Sequence, residues 1–188
     1  YPLDDRISVV VPVARTNLVT NPSFETNTTS WTAIGGSIAR STTYQYHGAY
    51  SLAVTPSAAT TDGARYDTVS LTSGTVYAYS CKILGVAGKS YKIALETTGS
   101  VELTSITFVA SGRWQWVYGY YTESSTTTRR LTLRKAGGTE TSIFYIDGAQ
   151  VEALAAGETV STYLDGSQQG FVPNQQPPAY YWTGTPHA

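Results

Sequence analysis

Residues 114–121 read Trp114-Gln115-Trp116-Val117-Tyr118-Gly119-Tyr120-Tyr121, and the fold class turns on them. Side chains alternate across an extended strand, so Trp116, Tyr118 and Tyr120 share one face while Val117, Gly119 and Tyr121 share the other. One face suits a core and the other is left for display. Working outward, short alternating runs recur on both sides. They are separated by turn-forming pairs and single glycines at Gly35-Gly36, Asp62-Gly63, Ser73-Gly74, Gly88, Ser111-Gly112 and Gly137-Gly138. The runs predict strands near 37–40, 50–54, 64–71, 76–84, 90–96, 105–109, 114–122, 129–134 and 142–152. Short strands at this turn spacing predict an all-β fold, a two-sheet β-sandwich. No window of ten or more residues has helical periodicity, and Val151–Glu158 predicts at most one helical turn.

Composition agrees. The 188 residues suffice for one substantial core but are few for two. Fifteen Tyr, with many Thr, Ser and Val, favour pleated, half-buried surfaces. Charged residues make up only 13%, about half the usual share, and the net charge is −1. That leaves no basic footprint for nucleic acid and no polybasic surface for anionic lipid. There is no apolar run near 18 residues and no charged-then-apolar leader, so a soluble chain without membrane insertion is expected. A start at Tyr1 suggests a processed protein or an excised piece. Cys81, the single cysteine, has no partner for an internal disulfide. Its place in the alternation Tyr77, Tyr79, Cys81, Ile83 predicts a small buried hydrophobe.

Three regions follow. Residues 1–16 contain the β-prone run Ile7–Val13, interrupted by Pro12, and read as an extended arm. Residues 17–158 form the domain. Residues 159–188, crowded with Gly, Gln, Pro and Asn before Tyr180-Tyr181-Trp182, read as a tail that wraps the domain or docks on a partner.

Residues 17–31, NLVTNPSFETNTTSW, resemble the first strand of the jelly-roll carbohydrate-binding modules attached to xylanases and cellulases. Three further pieces follow in that family's order: His47-Gly48-Ala49-Tyr50-Ser51-Leu52, Tyr77-Ala78-Tyr79-Ser80, and Phe144 to Glu152 (FYIDGAQVE). The resemblance covers about residues 17–152 and implies a jelly-roll, galactose-binding-like sandwich. A second resemblance lies beyond it. Thr162-Tyr163-Leu164-Asp165-Gly166, Gln169-Gly170 and Tyr181 to Ala188 (YWTGTPHA) are similar to the segment that follows such modules in tailed-bacteriophage tail and other virion proteins. Here Phe171–Pro178 is an insertion relative to that pattern.

Two sites are implied. In similar modules the acid of the Phe-Glu run and the Asp of the last strand reach one structural calcium ion. That assigns Glu25 and Asp147 as side-chain ligands, with backbone help near His47 and Gly48. Calcium takes six to eight oxygens, and two carboxylates from distant strands otherwise repel. On the residues alone, Glu25 capping a turn and Asp147 opening one read equally well. Such modules also bind glycans on a sheet face, where flat rings stack on the apolar faces of sugars. Trp116, Tyr118 and Tyr120 are the candidate platform, completed by Tyr66, Arg65 and Arg129 from strands taken as neighbours. The alternative is that these aromatics fill the sandwich or a protein interface.

Catalysis is not expected. His47 and His187 sit in turn-like and terminal contexts, and no Ser or Cys stands in a nucleophile elbow. Glu96, Glu102 and Glu123 are expected on solvated strand edges rather than as an acid/base pair. The leading reading is a non-catalytic virion structural or decoration protein, on the particle surface. It would adhere to surface glycans and meet other virion proteins or copies of itself through its termini. The alternatives are a glycan-binding module of a secreted glycoside hydrolase, and a purely structural assembly protein with no sugar binding.

Overall fold

The computed structural model describes residues 15–163 and the backbone of Ser167–Gln168. Much of the arm 1–16 and of the tail 159–188, with the partner contacts expected of them, lies outside the described residues. The short strand β1 (Arg15–Thr16) pairs with β12 (Ser167–Gln168). Between them run β2 (Trp31–Ile34), β3 (Ser37–Ser41), β4 (Ser51–Thr55), β5 (Gly63–Leu71), β6 (Val76–Leu84), β7 (Ser90–Thr97), β8 (Glu102–Val109), β9 (Trp114–Thr122), β10 (Thr127–Lys135) and β11 (Phe144–Leu154). Their order is β2-β5-β10-β7-β8 in one five-stranded sheet and β3-β4-β11-β6-β9 in the other, all antiparallel. From β4 to β7, and again from β8 to β11, each step along the chain crosses between the sheets. The fold is a jelly-roll β-sandwich.

The alternation read from the sequence sorts the core. Tyr66, Val69, Leu131, Leu133, Tyr91, Ile93 and Leu95 point inward from one sheet and meet Leu52, Val54, Tyr79, Cys81, Ile83, Val117 and Ile146 from the other. Cys81 is fully buried, and burial pushes its thiol well above the ordinary range. Trp31 packs between Phe24 and Tyr66, with ring centroids 5.1 and 5.6 Å away.

Two expectations on secondary structure are corrected. Trp31–Ile34, not among the expected strands, is β2, an edge strand too short for its alternation to stand out. Val151–Glu158 makes no helical turn. Val151–Leu154 ends β11, and a turn follows at 156–157, because Val151 fills an inward position between the sheets. No helix of the described residues is long and apolar enough to cross a membrane.

The run 17–31 is stitched to the last long strand. The Asn17 side chain donates to the Ala149 carbonyl (2.9 Å) and accepts from the Val151 amide (3.1 Å), while the Ala149 amide donates to the Pro22 carbonyl (3.1 Å). Phe24 is held at φ 61°, in the left-handed region that disfavours bulky residues. A buried ring against Trp31 and the Arg40 guanidinium on its carbonyl (2.8 Å) fix it there.

Candidate functional site

β9 is the edge strand of its sheet, paired only with β6 among the described residues. Trp116, Tyr118 and Tyr120 are 39%, 42% and 44% exposed, whereas Val117 is buried. The inward position Gly119 is vacant of side chain because Tyr79 crosses it. A Cβ there would overlap the Tyr79 ring end. The Tyr79 hydroxyl then reaches Thr104 of the facing sheet, 3.2 Å away. The three outward rings are neighbours, with centroids 5.0 and 5.9 Å apart and planes tilted by 42° and 77°. They form a ridged strip rather than one flat platform.

The strip continues past β9's first residue. Trp114 packs on Tyr46 (5.9 Å), and the Lys82 ammonium, opposite Trp116 across the β6–β9 pair, lies 4.4 Å from the Tyr46 ring centroid and 5.3 Å from that of Trp116. Beyond Trp114 opens a cleft of about 610 Å³, walled by Tyr44, Trp114, Tyr145 and Ile143 with Arg113 at its edge. Other exposed large aromatics, Tyr44 and Tyr46, belong to this same end of the molecule.

A returning segment borders the strip on its other side. After the turn at 156–157, the Val160 amide donates to the Tyr120 hydroxyl (3.3 Å) and the Ser161 amide to Glu152 (2.6 Å). Tyr163 stacks on His47 at 4.2 Å. Glu152, fully buried, also pairs with Arg15 (2.8 Å), whose guanidinium reaches Glu158 (3.3 Å). Thus residues 158–163 lie along β11 and cover polar side chains that its alternation turns outward.

The loop 44–50 brings Glu25 and Asp147 together. Asp147 Oδ2 accepts the Tyr46 and His47 amides (2.7 and 2.8 Å), and Oδ1 accepts the Gly148 amide (2.7 Å). Glu25 Oε1 accepts the Ala49 and Tyr50 amides (2.9 and 2.8 Å). Gly48, at φ 68°, leaves space that a Cβ would take from the Glu25 carboxylate. Burial pushes the Asp147 carboxyl up to about 7; the three amides oppose this, and the Glu25 charge adds to it. A divalent cation between Glu25 and Asp147 would favour the ionised carboxylate. The described residues hold no group of three or more His, Cys, Asp or Glu suited to a metal, so the remaining oxygens would be backbone carbonyls and water, a set calcium accepts.

The rest of the expected platform lies elsewhere. Tyr66 and Arg65 stand on β5 and Arg129 on β10, both in the sheet opposite to β9. Tyr66 is 2% exposed, a core ring whose hydroxyl meets Thr20 (2.8 Å). Arg65 pairs with Asp67 (2.9 Å), and Arg129 grips Glu123 through two bonds of 2.7 Å. Alternation assigns a face, but not which strands become neighbours. The expectation of solvated glutamates is corrected too: Glu96 and Glu123 are buried, each held by an arginine, Glu96 by Arg134 at 2.6 Å. Hydrogen bonds from Lys92 hold Glu102 down at about 2, and those from Arg129 hold Glu123 below its ordinary value. Neither carries a proton to donate at neutral pH.

The sequence reading missed the cleft, Lys82 and the returning segment. Tyr44 and Tyr46, two rings in a turn-like stretch, were the available signal, since a loop gives a large ring no core to fill.

A search of curated proteins finds no match. Among solved structures, the chain is similar to a xylan-binding domain from CBM 22 (23% identity, 77% of this chain and 98% of that one, TM-score 0.59). It is also similar to the CBM22-1 xylan-binding domain from Paenibacillus barcinonensis Xyn10C (20% identity, 78% and 96%, TM-score 0.56). An α-L-arabinofuranosidase, MgGH51, matches at 12% identity and TM-score 0.60 over 73% of this chain, which spans only 26% of that enzyme. These likenesses establish the fold. The profile of the carbohydrate-binding domain family CBM_4_9 matches residues 16–141 of the 188, and the chain belongs to that family.

Proposed function

We propose that the chain is a non-catalytic glycan-binding module that takes sugars along the Trp116, Tyr118 and Tyr120 strip, carried by a virion structural or decoration protein on the particle surface. The observation that carries the binding reading is the strip itself: three successive outward rings on an edge strand, each about two-fifths exposed. A monomeric fold gains nothing by leaving such rings in water, and rings of this kind stack on sugar faces. Family membership supports the ligand class, as do the neighbours described as xylan-binding domains. The virion setting rests on the similarity of 162–188 to phage tail segments, most of which lies outside the described residues. One structural calcium ion, held by Glu25 and Asp147 beside His47 and Gly48, belongs to the same proposal.

A glycan array probed with wild type and Trp116→Ala tests the binding. The expected result is binding to at least one glycan, weakened about tenfold or more by the substitution, a loss of at least about 1.4 kcal/mol. Absence of any bound glycan, or binding indifferent to Trp116, overturns the reading and leaves a purely structural assembly protein.

A second reading has its own support. One similar structure joins a CBM22-1 module to a GH10 module in a Clostridium thermocellum xylanase, which favours a module of a secreted glycoside hydrolase. Mass spectrometry of purified phage particles separates the settings, because a virion protein is present at stoichiometric copy number and a secreted module is absent.

A further inference from the structure

The two outer faces of the sandwich treat charge differently. On the sheet of β5, β7, β8 and β10 the outward bases are matched by acids: Arg65 and Arg130 with Asp67 (2.9 and 3.1 Å), and Arg134 with Glu96 and Glu102 (2.6 and 3.1 Å). Lys92 adds a further bond to Glu102. There each base has an acid within ion-pair distance. On the aromatic face that does not hold throughout. There Glu152 and Asp147 are buried and satisfied by Arg15, Ser161 and backbone amides. Two of its cations, Lys82 and Arg113, have no carboxylate within ion-pair distance among the described residues. Lys82 instead stands between two aromatic rings, and Arg113 stands exposed at the cleft edge beside Trp114.

We propose that this face recognises an anionic glycan, its sugar rings on the β9 strip and its carboxylate or sulfate groups on Lys82 and Arg113. The inference rests on the glycan-binding reading above and adds the substrate class. Lys82 lies level with Trp116 and Arg113 directly precedes Trp114. At ~3.4 Å per residue the two levels are about 10 Å apart along the strand, so the face matches a chain with charges at intervals rather than a single charged end. The Arg113 guanidinium offers a forked set of donors to paired anionic oxygens, and Lys82 offers a point charge beside the ring on which the sugar lies. A neutral glycan leaves both cations without a counterion.

The test is binding of the whole chain to immobilised uronate polymers (polygalacturonate, alginate, hyaluronate) and sulfated glycans (heparin, dextran sulfate). Each is set against its carboxyl-reduced or desulfated counterpart and against neutral xylan and β-glucan. The expected result is preference for a charged member over its neutral counterpart, falling steeply between 0.15 and 1 M salt. Arg113→Gln and Lys82→Gln are each expected to weaken it about tenfold, with unchanged melting temperature for the exposed Arg113→Gln. The carboxylate and sulfate arms identify which anion is read. Equal or better binding of neutral counterparts, lost with Trp116→Ala but not with Arg113→Gln, overturns the anionic inference and keeps the glycan reading. Binding to no glycan overturns both.

Discussion

Gly119 is where a single atom decides the packing of the sandwich. A Cβ at this position would overlap the Tyr79 ring end, and Tyr79 is fully buried. Gly119→Ala is therefore expected to lower unfolding stability by ~1–3 kcal/mol in urea titrations, the usual cost of overpacking a filled core. No loss would mean that the Tyr79 phenol swings aside freely. Glu123 carries a pH dependence at the same scale. Its carboxyl is held below the ordinary value, first by the Arg129 hydrogen bonds, so its folded pKa lies below its unfolded one. The stability it adds is full above the unfolded value near 4.5 and is lost as pH falls through the folded value. Melting curves from pH 6 downward should show wild type losing a component that Glu123→Gln, less stable at neutral pH, lacks. Parallel curves for the two proteins would refute this. Burial of Glu123 and Glu96 was not legible in the sequence, because alternation marks a glutamate as polar and cannot see an arginine arriving from another strand.

At the scale of elements, the segment 158–163 depends on a few polar contacts rather than on a ladder. Its Ser161 meets the buried Glu152, and Arg15 ties Glu152 to Glu158. Arg15→Ala removes the cation and leaves Glu152 with the Ser161 and Gln150 donors alone. A stability loss of ~1–3 kcal/mol is expected, together with faster amide exchange at Val160 and Ser161 than in wild type. Unchanged exchange there would show that stacking of Tyr163 on His47 holds the segment without Arg15. β9 was readable in full, down to its limits at Trp114 and Thr122, because eight of its nine residues are aromatic, branched or glycine. β2 was not readable, since four residues give alternation no length in which to repeat. The strands β5 and β10 were found, yet their side chains Tyr66, Arg65 and Arg129 were assigned to the wrong sheet.

For the whole molecule, the Glu25–Asp147 pair joins the first segment of the domain to the last long strand through one loop, so an ion bound there acts on global stability. Calcium at about 100 times its Kd is expected to raise stability by about 2.7 kcal/mol, because a ligand held only by the native state stabilises it by mass action. Thermal melts in chelator and in millimolar calcium measure this. Melting temperatures that agree in both media, or a shift that persists in Asp147→Asn, would refute the calcium proposal.

The sequence by itself determined the class of fold, the outward strip of β9 and the burial of Cys81. Each follows from period-two alternation and turn spacing, which are local properties of a strand. Only the tertiary structure decided which strands lie side by side, that the outward bases of one face each meet an acid while Lys82 and Arg113 on the other have none within ion-pair distance among the described residues, and that residues 158–163 return along β11. Those outcomes depend on pairing between segments tens of residues apart, and the sheet a strand joins decides which outer face its side chains reach without altering any local pattern.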